Sequence, residues 1–158
     1  MEYSKLIKAS ADHKIVIQNL MQLYMHDFSE FMDLNVGADG LFPEYKDLDL
    51  YWTDTTNRFP YLILQDEKYA GFLLVRQIEL DARNYFSMAE FFVLRNFRNK
   101  RLGQKVAFEI FNLHRGNWKL FQIESNHPAQ QFWRKVIAES TPGKFYRAIR
   151  GRQNHTAI

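Results

Sequence analysis

Residues 91–107 read Phe-Phe-Val-Leu-Arg-Asn-Phe-Arg-Asn-Lys-Arg-Leu-Gly-Gln-Lys-Val-Ala. An apolar run of strand length runs into a polar turn, and the turn runs into a helix with an apolar stripe at Val106, Ala107, Ile110, Phe111 and His114. The first turn of a helix carries unpaired N–H groups and the positive end of the macrodipole, which together attract anions. Arg98, Lys100, Arg101 and Lys105 add cationic side chains around that point, and Gly103 lacks a Cβ that would keep a ligand from the backbone. A pyrophosphate fits these properties; a solvated basic turn with one turn glycine is the alternative. No glycine-rich loop ends in Gly-Lys-Ser/Thr, and the three glycines of the dinucleotide fingerprint are missing, so the ATPase and dehydrogenase readings are weak.

Working outward, three runs rich in aromatic and branched residues, 59–65, 69–79 and 85–94, predict consecutive strands. Asp66-Glu67-Lys68 and Arg83-Asn84 are read as the turns between them, which makes an antiparallel meander. Toward the N-terminus, residues 2–8 predict a strand. From Asp12, a candidate N-cap, Ile17, Leu20, Met21, Tyr24 and Phe28 follow at helical spacing. Residues 30–54 hold Gly37, Gly40 and Pro43 with weak periodicity, and read as loop with short helical turns. Toward the C-terminus, Gly116-Asn117 ends the helix and 118–123 is a strand. Asn126-His127-Pro128 opens a last helix with apolar face Ala129, Phe132, Trp133, Val136 and Ile137. Pro142-Gly143 reads as a turn and 145–149 as a final strand. The order β-α-loop-β-β-β-α-β-α-β describes a mixed α/β (α+β) domain, a mostly antiparallel sheet flanked by helices, over residues 1–150. The polar residues 151–158 read as a flexible tail.

At 158 residues, with 46% hydrophobic and 25% charged residues, the composition suits one folded domain. There is no cysteine, which excludes disulfides, thiolate metal sites and a cysteine nucleophile. No stretch approaches the roughly 20 apolar residues of a membrane span, so a soluble cytoplasmic protein without a membrane partner is the expectation. Net charge is +3, but unevenly placed: residues 1–80 hold 7 Lys+Arg against 13 Asp+Glu, and residues 81–158 hold 14 against 5. The basic half suits a phosphorylated small molecule or nucleic acid, and the acidic half argues against a nucleic-acid coat. The five histidines show no metal-ligand spacing, so no metal is expected; His114 falls on the apolar side of its helix and reads as packed. No serine sits in a nucleophile elbow.

The segment 91–103 resembles the acetyl-CoA motif of the GNAT N-acetyltransferases, whose signature is Gln/Arg-x-x-Gly-x-Gly/Ala. Arg98 and Gly103 stand at its ends, and Arg101 replaces the inner glycine. Downstream, Asn126-His127-Pro128-Ala129-Gln130-Gln131-Phe132-Trp133 is similar to the family's Asn-x-x-Ala-x-x-Phe-Tyr segment, in the order the family's fold requires.

The resemblance implies an acetyl-CoA-dependent acetyl transfer to a primary amine on a small molecule or peptide. It implies that the cofactor's pyrophosphate meets the backbone of Arg98, Asn99, Lys100, Arg101, Leu102, Gly103, Gln104 and Lys105, and that the pantetheine arm pairs with the strand end at Phe92-Val93. An amide there would stabilise the oxyanion. Asn126 matches the family's asparagine beside the arm, or is a helix N-cap, or both. An alkylamine is mostly protonated at neutral pH, so a base is needed. Glu90 is the first candidate: strand alternation sets it beside Met88 and Phe92, whose apolar surroundings would raise its pKa, although a structural ion pair would also explain it. Trp133 stands where many relatives carry a tyrosine acid, and an indole is not a useful acid. That leaves Tyr146, Tyr24 or solvent to protonate the thiolate, or a domain that binds CoA without turnover. The acidic stretch 27–54, with Tyr45, Tyr51 and Trp52, suits a cationic amine or is simply solvated. A non-catalytic CoA-binding domain and a nucleic-acid-binding module are the rival readings, and the oligomeric state is open, a homodimer included.

Overall fold

The computed structural model describes residues 3–140 and the backbone of 146–150 and 153–157. β1 (Ser4–Lys8) leads into a 3-10 turn at Ala11–His13 and α1 (Lys14–Phe28), then a long loop and the short α2 (Leu50–Thr53). β2 (Arg58–Gln65), β3 (Lys68–Leu80) and β4 (Arg83–Val93) follow, then α3 (Leu102–Leu113), β5 (Trp118–Ile123), α4 (His127–Ser140), β6 (Tyr146–Arg150) and β7 (Gln153–Ala157). The described strands form one sheet in the order β1-β2-β3-β4-β5-β7-β6, antiparallel except for the pairing of β4 with β5.

Alternation along β2 and β3 builds a core on each face of this sheet. Tyr61, Ile63, Leu73 and Val75 point toward α3 and α4, where they meet Val106, Ile110, Trp133 and Ile137. Leu62, Leu64, Phe72 and Leu74 point the other way, onto Ile17 and Met21 of α1 and Tyr51 of α2. Gly71 has a steric reason: a Cβ there would lie 2.0 Å from the Phe92 carbonyl oxygen of the adjacent strand.

Several local expectations are revised. The turn joining β3 to β4 is Asp81-Ala82, both left-handed at φ 51° and 59°, with Leu80 paired to Arg83. Two residues at positive φ match the twist of a tight hairpin, so Arg83-Asn84 belongs to the strand. The preceding hairpin turns in the same way at Asp66 and Glu67, and Lys68 starts β3. Ser10, not Asp12, opens the helical segment, its N–H donating to His13 Nδ1 at 3.1 Å. Residues 153–157, read as frayed from their polarity, form β7 between β5 and β6. A ladder is made by main-chain groups, so a polar segment joins a sheet whenever a hairpin brings it to an open edge. The predicted turn at Pro142-Gly143 lies outside the described residues.

Candidate active site and cofactor cleft

Two features of β4 position the site. Along β3, Leu74 pairs with Glu90 and Val75 with Met88, which leaves Ala89 as a bulged extra residue. On the other side, β4 pairs with β5 only at Phe86↔Trp118 and Ser87↔Lys119. Beyond those pairs the strands run on to Val93 and Ile123 with no further register pairs between them, so the sheet opens into a wedge.

The wedge leads into a cavity of about 670 Å³ lined by Phe92 and Val93 of β4, the turn after it, the start of α3, Asn126 just ahead of α4, and Phe132 and Trp133 within it. Arg98, Asn99, Arg101, Leu102, Gly103 and Gln104 line it as well, whereas Lys100 and Lys105 are not among its lining residues. No side chain caps the N-terminus of α3, so its first-turn N–H groups remain available to a ligand. Arg101 occupies the N-cap position at φ 60° and ψ 8°, and Asn99 is also left-handed at φ 62°. The chain thus takes, with an arginine, a conformation that costs a non-glycine residue about 1–2 kcal/mol. Gly103, which lines the cavity, also has a packing reason. A Cβ there would meet the Phe132 ring at 3.2 Å, so its hydrogen makes room for α4 to pack on the start of α3.

The Arg98 side chain is committed within the protein. Its Nε donates to the Val93 carbonyl at 2.7 Å, its Nη2 to Asp27 Oδ2, and its guanidinium stacks over Phe92. Arg95 binds the other oxygen of Asp27 through Nε at 3.0 Å and Nη2 at 2.7 Å. Partial burial pushes the Asp27 carboxyl up, but the hydrogen bonds and charges of Arg98 and Arg95 outweigh it and hold the group below the usual carboxylate range. Asp27 stands at the end of α1, far in sequence from the motif, and no local spacing announces this clamp. Gln104 is tied to Glu139 of α4. Asn126 caps α4, its Oδ1 accepting from Ala129 N–H at 3.1 Å. Gln130, unremarked in the sequence, is buried and fastens the end of β5, its Nε2 donating to the carbonyls of Ile123 at 2.9 Å and Glu124 at 2.8 Å.

A second cavity of about 260 Å³ adjoins the first, with Tyr24, Phe28, Phe91, Asn126, Ala129 and Trp133 common to both linings. Glu90 lines the smaller one. The bulge separates it from Met88: Met88 packs with the core under α3 and α4, whereas Phe92 packs on the α1 side. The expected pairing of Glu90 with Met88 on one face therefore holds only for Phe92. Both oxygens of Glu90 accept hydrogen bonds, from Tyr24 at 2.5 Å and Tyr45 at 3.0 Å. Burial pushes the carboxyl above its ordinary range against the opposing effect of those two bonds. Burial and the adjacent Glu90 charge raise the Tyr24 phenol well above its own. Tyr146 lies in β6 opposite Ala157, which is opposite Lys119, at the paired end of the wedge and with β7 between it and β5. The structure does not group its backbone with Glu90, and its side chain lies outside the described residues. Trp133 is buried among Phe91, Phe111 and Phe132, a core residue with one edge on the cleft. Of the acidic stretch 27–54, Asp27 and Glu30 are on the linings of these cavities.

With this geometry in view, residues 17–137 match the model of the acetyltransferase (GNAT) family. The chain belongs to that family. No match was found among curated proteins. Solved structures share the fold at low identity. Arabidopsis thaliana Naa50, in complex with the bisubstrate analogue CoA-Ac-MVNAL, superposes with a TM-score of 0.65 at 13% identity over 98% of this chain and 97% of its own. An acetyltransferase from Thermus thermophilus gives 0.69 at 12% identity over 98% and 96%. An aminoglycoside acetyltransferase from an uncultured soil metagenomic sample, bound to sisomicin, gives 0.66 at 15% identity over 94% of each chain.

Proposed function

We propose that this GNAT domain is an N-acetyltransferase that uses acetyl-CoA to acetylate a primary amine, in a soluble cytoplasmic setting. The observation that carries the reading is the wedge between β4 and β5, which joins the uncapped N-terminus of α3 to a cavity holding Glu90. Acetyl-CoA would supply an activated acyl thioester. The backbone from Arg98 to Lys105 would hold its pyrophosphate, Phe92 and Val93 would offer main-chain groups to its pantetheine arm, and Asn126 would border the arm.

Glu90 is the proposed base. Its raised pKa brings it closer to the range in which a carboxylate accepts a proton usefully near neutrality. Tyr24, which touches both cavities and donates to Glu90, is the proposed route for returning that proton. A substrate ammonium first loses one proton to solvent. As the neutral amine nitrogen then bonds to the acyl carbon and the C–S bond breaks, the nitrogen gives its second proton to Glu90, Glu90 passes one to the Tyr24 oxygen, and Tyr24 gives its own to the departing thiolate. From the neutral amine onward, one proton moves from nitrogen to sulfur. A phenol beside an ionised carboxylate is a poor acid, and the same phenol beside a protonated one is better, so the two steps are coupled. Tyr24 would thereby take the part that Trp133 cannot.

The acceptor is an amine, and cationic small molecules are candidates. The described linings give the smaller cavity one carboxylate, two side-chain amides and otherwise aromatic and aliphatic walls, which favours a single ammonium. The test combines a thermal melt with acetyl-CoA and a thiol-release assay over monoamines, polyamines and peptide N-termini. Acetyl-CoA should raise the melting temperature, and at least one amine class should release thiol. Absence of any shift at saturating acetyl-CoA would refute the reading.

A further inference from the structure

Three of the polar side chains lining the smaller cavity hold a hydrogen bond within the protein. Glu90 accepts from Tyr24 and Tyr45, Tyr24 donates to Glu90, and the Asn126 carbonyl oxygen accepts from Ala129. Gln122 is the exception. It stands on β5 past the last pair with β4, it is 8% exposed, and its Nε2 has no hydrogen-bond partner among the described residues. Alternation along β5 puts it on the face of Trp118 and Leu120, among Met88, Ala129 and Trp133, so an apolar side chain of the same size would satisfy this position. A buried amide donor left unpaired costs the protein its full desolvation. Such a group, facing a cleft that opens because two strands have parted, is explained by a ligand that brings an acceptor to it.

We propose that the Gln122 side-chain amide donates a hydrogen bond to a carbonyl oxygen of the acyl-pantetheine arm when that arm enters the wedge between β4 and β5. The proposal rests on the acetyl-CoA reading above and adds to it a side-chain contact on the β5 wall. It makes Gln122 a positioning residue for the arm, with no part in the proton steps, and it predicts a split that a purely structural glutamine would not show. Filling the site with an apolar chain should help the ligand-free protein and harm the complex.

The experiment compares the wild-type protein with Gln122→Met and Gln122→Glu, using acetyl-CoA and adenosine 3′,5′-bisphosphate, which lacks the pantetheine arm. Gln122→Met should melt at the wild-type temperature or higher without ligand, bind acetyl-CoA about tenfold more weakly, as loss of one hydrogen bond implies, and bind the bisphosphate as the wild type does. Gln122→Glu, which sets an acceptor against an acceptor, should weaken acetyl-CoA binding further and again spare the bisphosphate. In turnover the loss should fall on KM for acetyl-CoA more than on kcat. Unchanged acetyl-CoA affinity in both variants overturns the proposal, as does equal weakening of both ligands or a lower melting temperature in ligand-free Gln122→Met. If the wild type binds neither ligand, the acetyl-CoA reading itself fails, an outcome distinct from wild-type binding that the variants leave untouched.

Discussion

Replacing Asp27 with asparagine removes the charge that Arg95 and Arg98 share while keeping the size of the side chain. The two halves of the clamp differ in surroundings. Asp27 is 19% exposed, whereas Arg95 is 70% exposed and Arg98 39%. The Arg95 half lies largely in water and contributes about 0.2–1 kcal/mol. The Arg98 half is more enclosed, and a hydrogen bond to a charged group is worth about 1.5–3 kcal/mol before its remaining exposure reduces that figure. A combined loss of about 1–3 kcal/mol follows, equivalent to a fall in melting temperature of roughly 3–10 °C for a chain of this size. The pH dependence gives the sharper test. A carboxyl held below its usual range stabilises the fold fully above its unfolded value, near 3.9, and loses that contribution as pH falls through the lower folded value. The gap between wild type and Asp27→Asn should therefore be constant from about pH 5 to pH 8 and close below about pH 4. Thermal melts over that range read it directly. A gap that persists unchanged toward pH 3, or no gap at neutral pH, would show that charge is not what holds the turn.

Three other perturbations address the bulge, the turn and the sheet. Glu90→Gln should lower kcat by about 10²–10⁴-fold and abolish the acid limb of the rate profile, which in the wild type should lie above the ordinary carboxylate range. Because a raised folded pKa favours the fold at low pH and loses that benefit as pH rises through it, the same variant should gain stability relative to wild type as pH rises from the ordinary carboxylate range through the raised value, and hold that gain above it; a melt gap independent of pH would contradict this. Arg101→Gly should relieve about 1–2 kcal/mol of left-handed strain against about 0.4–1 kcal/mol of added unfolded-chain entropy. Its melting temperature should thus hold or rise slightly, and a fall of several degrees would mean that the arginine side chain makes a compensating contact. Gly71→Ala should cost about 3 kcal/mol, since its Cβ and the Phe92 carbonyl cannot share their positions without a shift between β3 and β4; a denaturation midpoint close to wild type would refute the close approach.

The fold was legible in the sequence where one pattern dominates. β2, β3 and β4 are runs rich in aromatic and branched residues that lie within a residue or two of their predicted bounds, and α3 and α4 keep a helical stripe. The turn ahead of α3 was legible too, because its basic residues and glycine are contiguous. What escaped was set by geometry between distant segments. The Asp27 clamp joins residues some 70 apart in the chain, and Tyr45 reaches Glu90 from a loop without periodicity. The orphaned amide of Gln122 lies where β5 no longer pairs with β4, which no residue of β5 announces. Positive φ at Asp81, Ala82 and Arg101 was invisible because none of them is glycine, the residue by which such turns are usually recognised.

The bulge at Ala89 explains how a single strand serves both cavities. In regular alternation Met88, Glu90 and Phe92 would share one face, and Glu90 would follow Met88 into the apolar core beneath α3 and α4. One extra residue reverses that phase between Met88 and Glu90, so the carboxyl turns to the α1 side, where Tyr24 and Tyr45 can donate to it. Phe91 and Val93 keep the opposite orientation and line the large cavity beside the start of α3. Shifting register by one residue exchanges the faces of every side chain beyond the shift, so the bulge and the wedge are complementary parts of one device. The wedge exposes the strand's edge, and the bulge decides which side of that edge carries the charge.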